Sequence, residues 1–189
     1  KLAGSGILCF VTPRNDDMSE LDGVISQSKT VTFAEGAVVA LDERLEMVCS
    51  GYSNITPWHS FREETEEQLL TRYEALIARL KDVRHSVFAF HVPPYGSGLD
   101  DAPELTADLR PKYAGNALVP VGSRSARKVI ERYQPLLGLF GHIHECKATT
   151  RIGKTLCVNS GSMYEQGVLC GALIQIERGK IKSHILTTG

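Results

Sequence analysis

The stretch Leu136-Leu137-Gly138-Leu139-Phe140-Gly141-His142-Ile143-His144 decides how this chain is read. Its first five residues form a continuous apolar run, the pattern of a short strand buried on both faces. Its last four carry two imidazoles two residues apart, on the turn that leaves the strand. An extended backbone would send those rings to opposite sides. A turn led by Gly141 can aim both at neighbouring positions. Neutral imidazole is a common metal ligand, so the segment reads as the edge of a metal site at a strand end.

Two upstream segments have the same construction. The run Gly6 to Val11 is apolar, ends at Thr12-Pro13, and is followed by Asn15-Asp16-Asp17. The run Ser86 to Phe90 is apolar and leads directly into His91. Taken singly, Asn15-Asp16 suits a turn or a helix cap equally well, and His91 suits a satisfied buried histidine. Taken together, three polar groups each follow a predicted strand, and such groups converge on one crevice in α/β folds. Histidine nitrogens mixed with Asn or Asp oxygens suit Mn, Fe, Zn or Ni better than Ca.

The remaining pattern supplies the frame. Asp17 to Gln27 has a helix-start signature with Met18, Leu21, Val24 and Ile25 as apolar positions. Lys29 to Ser50 reads as two or three strands, and Gly51 to Phe61 as a loop holding Tyr52, Trp58 and His59. Thr65-Glu66-Glu67-Gln68 is a capping box, opening a helix whose apolar face is Leu69, Leu70, Tyr73, Leu76, Ile77 and Leu80. Val92 to about Pro120 reads as a long polar loop, which in a compact domain is usually functional. Ser123 to Tyr133 is a second helix, stopped by Pro135. A strand at Thr155 to Asn159 follows, then a hairpin of Gly167–Ile176 and Lys180–Leu186 turning at Gly179. Strands, helices and strands in this order predict an α/β sandwich, with helices covering sheets.

Composition bounds the function. The 189 residues are 42% hydrophobic and 23% charged, enough for one globular domain spanning 1–189. A net charge of -1 without a basic run gives no nucleic-acid footprint, and no apolar stretch reaches membrane-span length. Five irregularly spaced cysteines read as reduced thiols in a reducing, cytoplasmic compartment. His59 either rims the cleft or is a surface residue, His85 sits in a charged helix end, and His184 is expected to face solvent.

The order Asn15-Asp16, His91, then Gly141-His142-x-His144 resembles the second half of the calcineurin-like metallophosphoesterase signature. The segments His91-Val92-Pro93-Pro94-Tyr95-Gly96, Leu99-Asp100, Gly122-Ser123, Gln134-Pro135-Leu136-Leu137 and Asn159-Ser160-Gly161-Ser162 are similar to a bacterial and archaeal branch of that superfamily. The resemblance implies a four-layer α/β/β/α sandwich. It also implies two divalent metal ions and hydrolysis of a small phosphomonoester or phosphodiester by a metal-bound hydroxide. It assigns Asn15, His91 and His142 to one metal and His144 to the other. Asp16 takes a catalytic position, where it either contacts the phosphate or assists leaving-group protonation. Two departures accompany it. Arg14 stands where the family has Gly. The Asp-x-His and Gly-Asp motifs that open the signature do not occur before Asn15, so the first strands, with most ligands of the first metal, are expected to lie upstream of Lys1. Residues 1–189 by themselves are then expected to be inactive and the complete protein active. The alternative is a catalytically degenerate scaffold that binds a protein partner.

Overall fold

A computed structural model describes residues 4–189; the expectation about Lys1 lies outside the described residues. In chain order the elements are β1 (Phe10–Val11), α1 (Glu20–Ser26), β2 (Thr32–Phe33), β3 (Val38–Ala40), β4 (Glu46–Ser50), β5 (Ser53–Asn54), β6 (Glu63–Glu64), α2 (Glu66–Ile77), β7 (Ser86–Phe90), β8 (Asp101–Pro103), β9 (Leu118–Pro120), α3 (Arg124–Tyr133), β10 (Leu137–Phe140), β11 (Lys147–Ile152), β12 (Thr155–Ser160), β13 (Cys170–Glu177) and β14 (Lys180–Thr188).

Six strands form the central sheet in the order β11-β12-β10-β7-β4-β3. Its four inner strands run parallel, with β3 and β11 as antiparallel edges. Strand alternation divides the core in two. Val48, Phe88, Phe90, Phe140 and Cys157 point to one face, where Leu69, Tyr73 and Ile77 of α2 and Val129 and Ile130 of α3 cover them. The Tyr73 and Phe90 rings stack there, with centroids 4.1 Å apart. Met47, Cys49, Val87, Leu137, Leu156 and Val158 point to the other face, covered by Ala172, Ile174, Ile176, Ile181 and Leu186 of the β13–β14 hairpin. Each large apolar side chain fully withdrawn from water contributes about 1.5–3 kcal/mol.

The described residues therefore make three layers, helices, sheet and hairpin, within an α/β architecture. The expected fourth layer, a second helical one, is not among them: α1 buries none of its residues. The capping box of α2 forms, with the Thr65 side chain accepting from the Gln68 N–H and Gln68 Oε1 accepting from the Thr65 N–H. Glu66, in the first turn of α2, also accepts from the N–H groups of Arg124 and Ser125 and so caps α3 as well.

Several expectations need correction. The strand predicted over Gly6 to Val11 is reduced to Phe10–Val11, paired only with β2, and Ile7 and Leu8 are exposed. The helix predicted from Asp17 starts at Glu20, because Asp17 is used in a turn: its N–H donates to Arg14 O and its carboxylate accepts from the Arg14 N–H. The segment after His91 is not one long loop. It folds on the buried Asp100 carboxylate, which accepts from the N–H groups of Gly96, Ser97 and Gly122, and it contains the β8–β9 hairpin. Strand β11 was not foreseen, its Lys-Ala-Thr-Thr-Arg pattern being too polar to signal a strand. The five cysteines are free thiols, and burial pushes Cys49 and Cys157 up to about 12. His184 is exposed, and exposed His85 pairs with Asp82 at 2.7 Å. No helix among the described residues is long and apolar enough to cross a membrane.

Candidate metal centre

The four parallel strands end at one edge of the sheet, and the candidate residues are placed by those ends. The ladder continues one step beyond β7: His91 N–H donates to Ser50 O, and Gly141 N–H donates to His91 O. This holds His91 and the Gly141–His144 turn side by side. The turn is tight. His142 sits in the left-handed region at φ 63, a conformation a non-glycine residue adopts only when its surroundings impose it. The source of that constraint is Asn159, at the end of β12 and fully buried. Its side-chain amide donates to Gly141 O at 3.1 Å, Ile143 O at 3.0 Å and Leu99 O at 3.1 Å, while its oxygen accepts from Gly161 N–H. The carbonyls on either side of His142 are thus pinned by one side chain.

Asn15 comes from the opposite direction, on the loop after β1, and is buried. Its Oδ1 lies 2.8 Å from His91 Nε2 and 3.3 Å from His142 Nδ1, and the two ring nitrogens are 3.3 Å apart. Asp16 Oδ1 accepts from Asn15 Nδ2 at 3.2 Å and from Ser60 Oγ at 2.9 Å. These bonds turn the Asn15 amide oxygen toward the histidines. Arg62 secures the loop. It is buried, its N–H donates to Asn15 O, and its guanidinium donates to Asp17 O, Met18 O and both Asp22 carboxylate oxygens. Arg14 keeps a negative φ, so the backbone here does not require a glycine. Its guanidinium lies over the Tyr164 ring, 5.9 Å from the centroid.

His144 stands apart from this triangle. Its ring meets Tyr164 edge-on at 5.4 Å, and it lines a cavity of about 350 Å³ with Lys147, Gly161, Ser162, Met163 and Tyr164.

The electrostatics favour neutral rings. Burial, helped by the nearby His142, Arg14 and His144, holds His91 well below the usual histidine value. Burial brings His142 down to about 4, against the upward pull of Asp16 and Glu63. Neutral imidazoles keep a lone pair for a cation, and metal ligands must be deprotonated.

The donor set can be tested against an ion by its spacing. Nitrogen and oxygen ligands about 2.0–2.2 Å from one ion lie roughly 3 Å from one another. A triangle with sides of 2.8, 3.3 and 3.3 Å meets that condition. It consists of two imidazoles and an amide. Among the described residues no three His, Cys, Asp or Glu side chains gather in a group able to hold an ion, so the triangle depends on Asn15 as its third donor. Sequence reasoning missed Asn159 as a support, and it missed Arg62 and Ser60 altogether. Each acts across a large separation in the chain; only the polar run Asn159-Ser160-Gly161-Ser162 after an apolar strand hinted at the first.

No family model matches the chain. The chain is 32% identical over 155 residues to the uncharacterized protein MJ1162 of Methanocaldococcus jannaschii, a match covering 81% of this chain and 62% of that protein. It thus spans about three fifths of the length of the curated relative it matches. Among solved structures, TT1561 of Thermus thermophilus superposes with a TM-score of 0.57 at 16% identity, over 95% of this chain and 71% of that one. A further crystal structure superposes at 0.60 with 18% identity, over 87% of this chain and 61% of that one. The α/β fold is therefore one that solved proteins share.

Proposed function

We propose that this chain forms part of a metal-dependent phosphoesterase, one that hydrolyses a phosphomonoester or phosphodiester. The observation that carries the reading is the triangle of Asn15 Oδ1, His91 Nε2 and His142 Nδ1 at the ends of parallel strands. The resemblance of its flanking motifs to the calcineurin-like superfamily supports it. Asn15, His91 and His142 would hold a divalent transition metal ion such as Mn, Fe, Zn or Ni, and His144 would serve a second. The ions would supply Lewis acidity to the phosphoryl group. The chain's own residues do the rest. Asp16 orients the Asn15 amide beside Ser60, and would contact the phosphate or assist leaving-group protonation. Asn159 fixes the left-handed turn that aims His142. Neutral, buried His91 and His142 keep their lone pairs at neutral pH.

The test is hydrolysis of a generic aryl phosphomonoester and phosphodiester by the full-length protein with added Mn, by residues 1–189, and by full-length His142→Ala. Turnover in the full-length protein, its loss in His142→Ala with folding retained, and none in residues 1–189 is the expected result. Unchanged activity in His142→Ala would refute the site. Silence of the folded, metal-loaded full-length protein would favour the scaffold alternative.

A further inference from the structure

Beside the triangle stands a loop whose aromatic residues the site does not use. Between β5 and β6 the chain exposes Trp58 and Phe61 to 64% and 68% of their surface, with Ile55 half-exposed nearby. Large aromatic rings so far out of a core call for a reason, since their burial is a main source of folding energy. Slackness is not that reason. Thr56 donates through both its N–H and its hydroxyl to the Glu63 carboxylate, at 2.8 and 2.5 Å. The Trp58 N–H donates to Thr56 Oγ1, and the Ser53 N–H donates to Arg62 O. Desolvation works against it, yet the hydrogen bonds from Thr56 and Ser60 hold the Glu63 carboxyl below its usual range, so this clasp is charged and firm at neutral pH.

The loop is also fastened to the candidate centre. Phe61 has Ser60 before it, whose hydroxyl donates to Asp16, and Arg62 after it, whose N–H donates to Asn15 O. Arg62 turns its side chain inward to Asp17, Met18 and Asp22, while Phe61 between these two anchors is turned to solvent. A phosphoryl group placed at Asn15, His91 and His142 would therefore have Asp16, Ser60 and the loop that carries these rings on its Asn15 side.

We propose that Trp58 and Phe61 form a stacking shelf for the substrate's ester group, making phosphoesters of flat aromatic or heteroaromatic groups the preferred substrate class. This rests on the phosphoesterase reading above. An aromatic face accepts any flat π-system, and stacking of this kind changes affinity by about tenfold or more. Trp58 and Phe61 are themselves uncharged, so a flat uncharged group is the partner their chemistry suits.

Phenylphosphonate and methylphosphonate separate the shelf from the site, because both present the same phosphonate and only one presents a ring. Their dissociation constants are measured by calorimetry on the Zn-loaded full-length protein and on its Trp58→Ala, Phe61→Ala and Trp58→Phe variants. The protein binds phenylphosphonate about tenfold more tightly than methylphosphonate. Either alanine variant brings that ratio toward one while leaving methylphosphonate affinity unchanged, which also shows that the variant is folded. Trp58→Phe keeps most of the preference, and the change in tryptophan emission on phenylphosphonate binding disappears with Trp58. Equal binding of the two ligands by the unsubstituted protein, or a ratio untouched by both alanine variants, overturns the shelf and leaves the phosphoesterase reading standing. Binding of neither ligand to the metal-loaded protein overturns both. Trp58-dependent sedimentation with phosphatidylcholine vesicles, alongside a ratio of one, would assign the rings to a lipid surface instead.

Discussion

Asn159→Asp replaces one amide nitrogen by oxygen and keeps the shape of the side chain, yet it inverts the chemistry of a fully buried position. The amide faces the carbonyl oxygens of Leu99, Gly141 and Ile143 at 3.0–3.1 Å. A protonated carboxyl can satisfy one of them, so at low pH the variant loses about 1–2 kcal/mol, the worth of one or two hydrogen bonds. An ionised carboxylate would set an acceptor against three acceptors without water, at a cost of several kcal/mol. The carboxyl in the folded variant therefore has a raised pKa. The sign follows from linkage: its contribution to stability is retained below the unfolded carboxylate value of about 4 and lost as pH rises, by about 1.4 kcal/mol per unit. From pH 4 to 7 the gap to the unsubstituted protein should widen to about 4 kcal/mol or more. Urea unfolding at a series of pH values, with an unchanged slope, measures it. A gap that is flat with pH, or that stays below about 1 kcal/mol at pH 7, would show that Asn159 does not pin the His142 turn.

Two further outcomes follow from the same physics. Arg62→Ala removes two donor contacts to the Asn15 loop and two to Asp22 of α1; since Asp22 can partly rehydrate, a loss of about 3 kcal/mol and weaker metal binding are expected, and a loss below about 1 kcal/mol in urea unfolding would contradict the clasp. Glu35 is half-buried; its Oε2 accepts from the Gly51 N–H and its buried Oε1 has no partner. Desolvation, opposed by that hydrogen bond, raises it from 4.5 to about 7. The contribution of Glu35 to stability is therefore full below pH 4.5 and is lost as pH climbs to 7, by up to about 3 kcal/mol. Glu35→Gln should flatten that slope in thermal or urea unfolding, and an unaltered slope would assign it to another group.

What the sequence disclosed was local. The capping box before α2, the apolar runs of β7 and β10 and the hairpin turn at Gly179 each obey a rule that acts within a few residues. The candidate histidines were legible for a related reason: His91 and His142 follow β7 and β10 within two residues, so their chain positions stated their place on the sheet edge, whereas Asn15 reaches them from the loop after β1. What stayed hidden depends on distant partners. Nothing near Arg62 says that it will be buried against Asp17 and Asp22, and nothing near Asn159 says that it will hold the carbonyls flanking His142. The His142 backbone conformation was invisible too, since histidine carries no preference for a left-handed turn strong enough to read. The short β8–β9 hairpin escaped notice because buried Asp100, rather than an apolar pattern, organises that segment.

The order of the central sheet also governs when the site can come into being. Parallel neighbours cannot be joined by a tight turn, so β4 reaches β7 through α2, and β7 reaches β10 through the β8–β9 segment and α3. Each pairing closes a long loop before any contact rewards it, which makes such topologies slow to assemble. Asn15 stands 76 residues from His91 and 127 from His142. Separations of that size bring the three donors together only once the long loops have closed, so a cation would have little to seed early in refolding. A cation held at the proposed centre would act afterwards, by slowing the escape from a structure already complete.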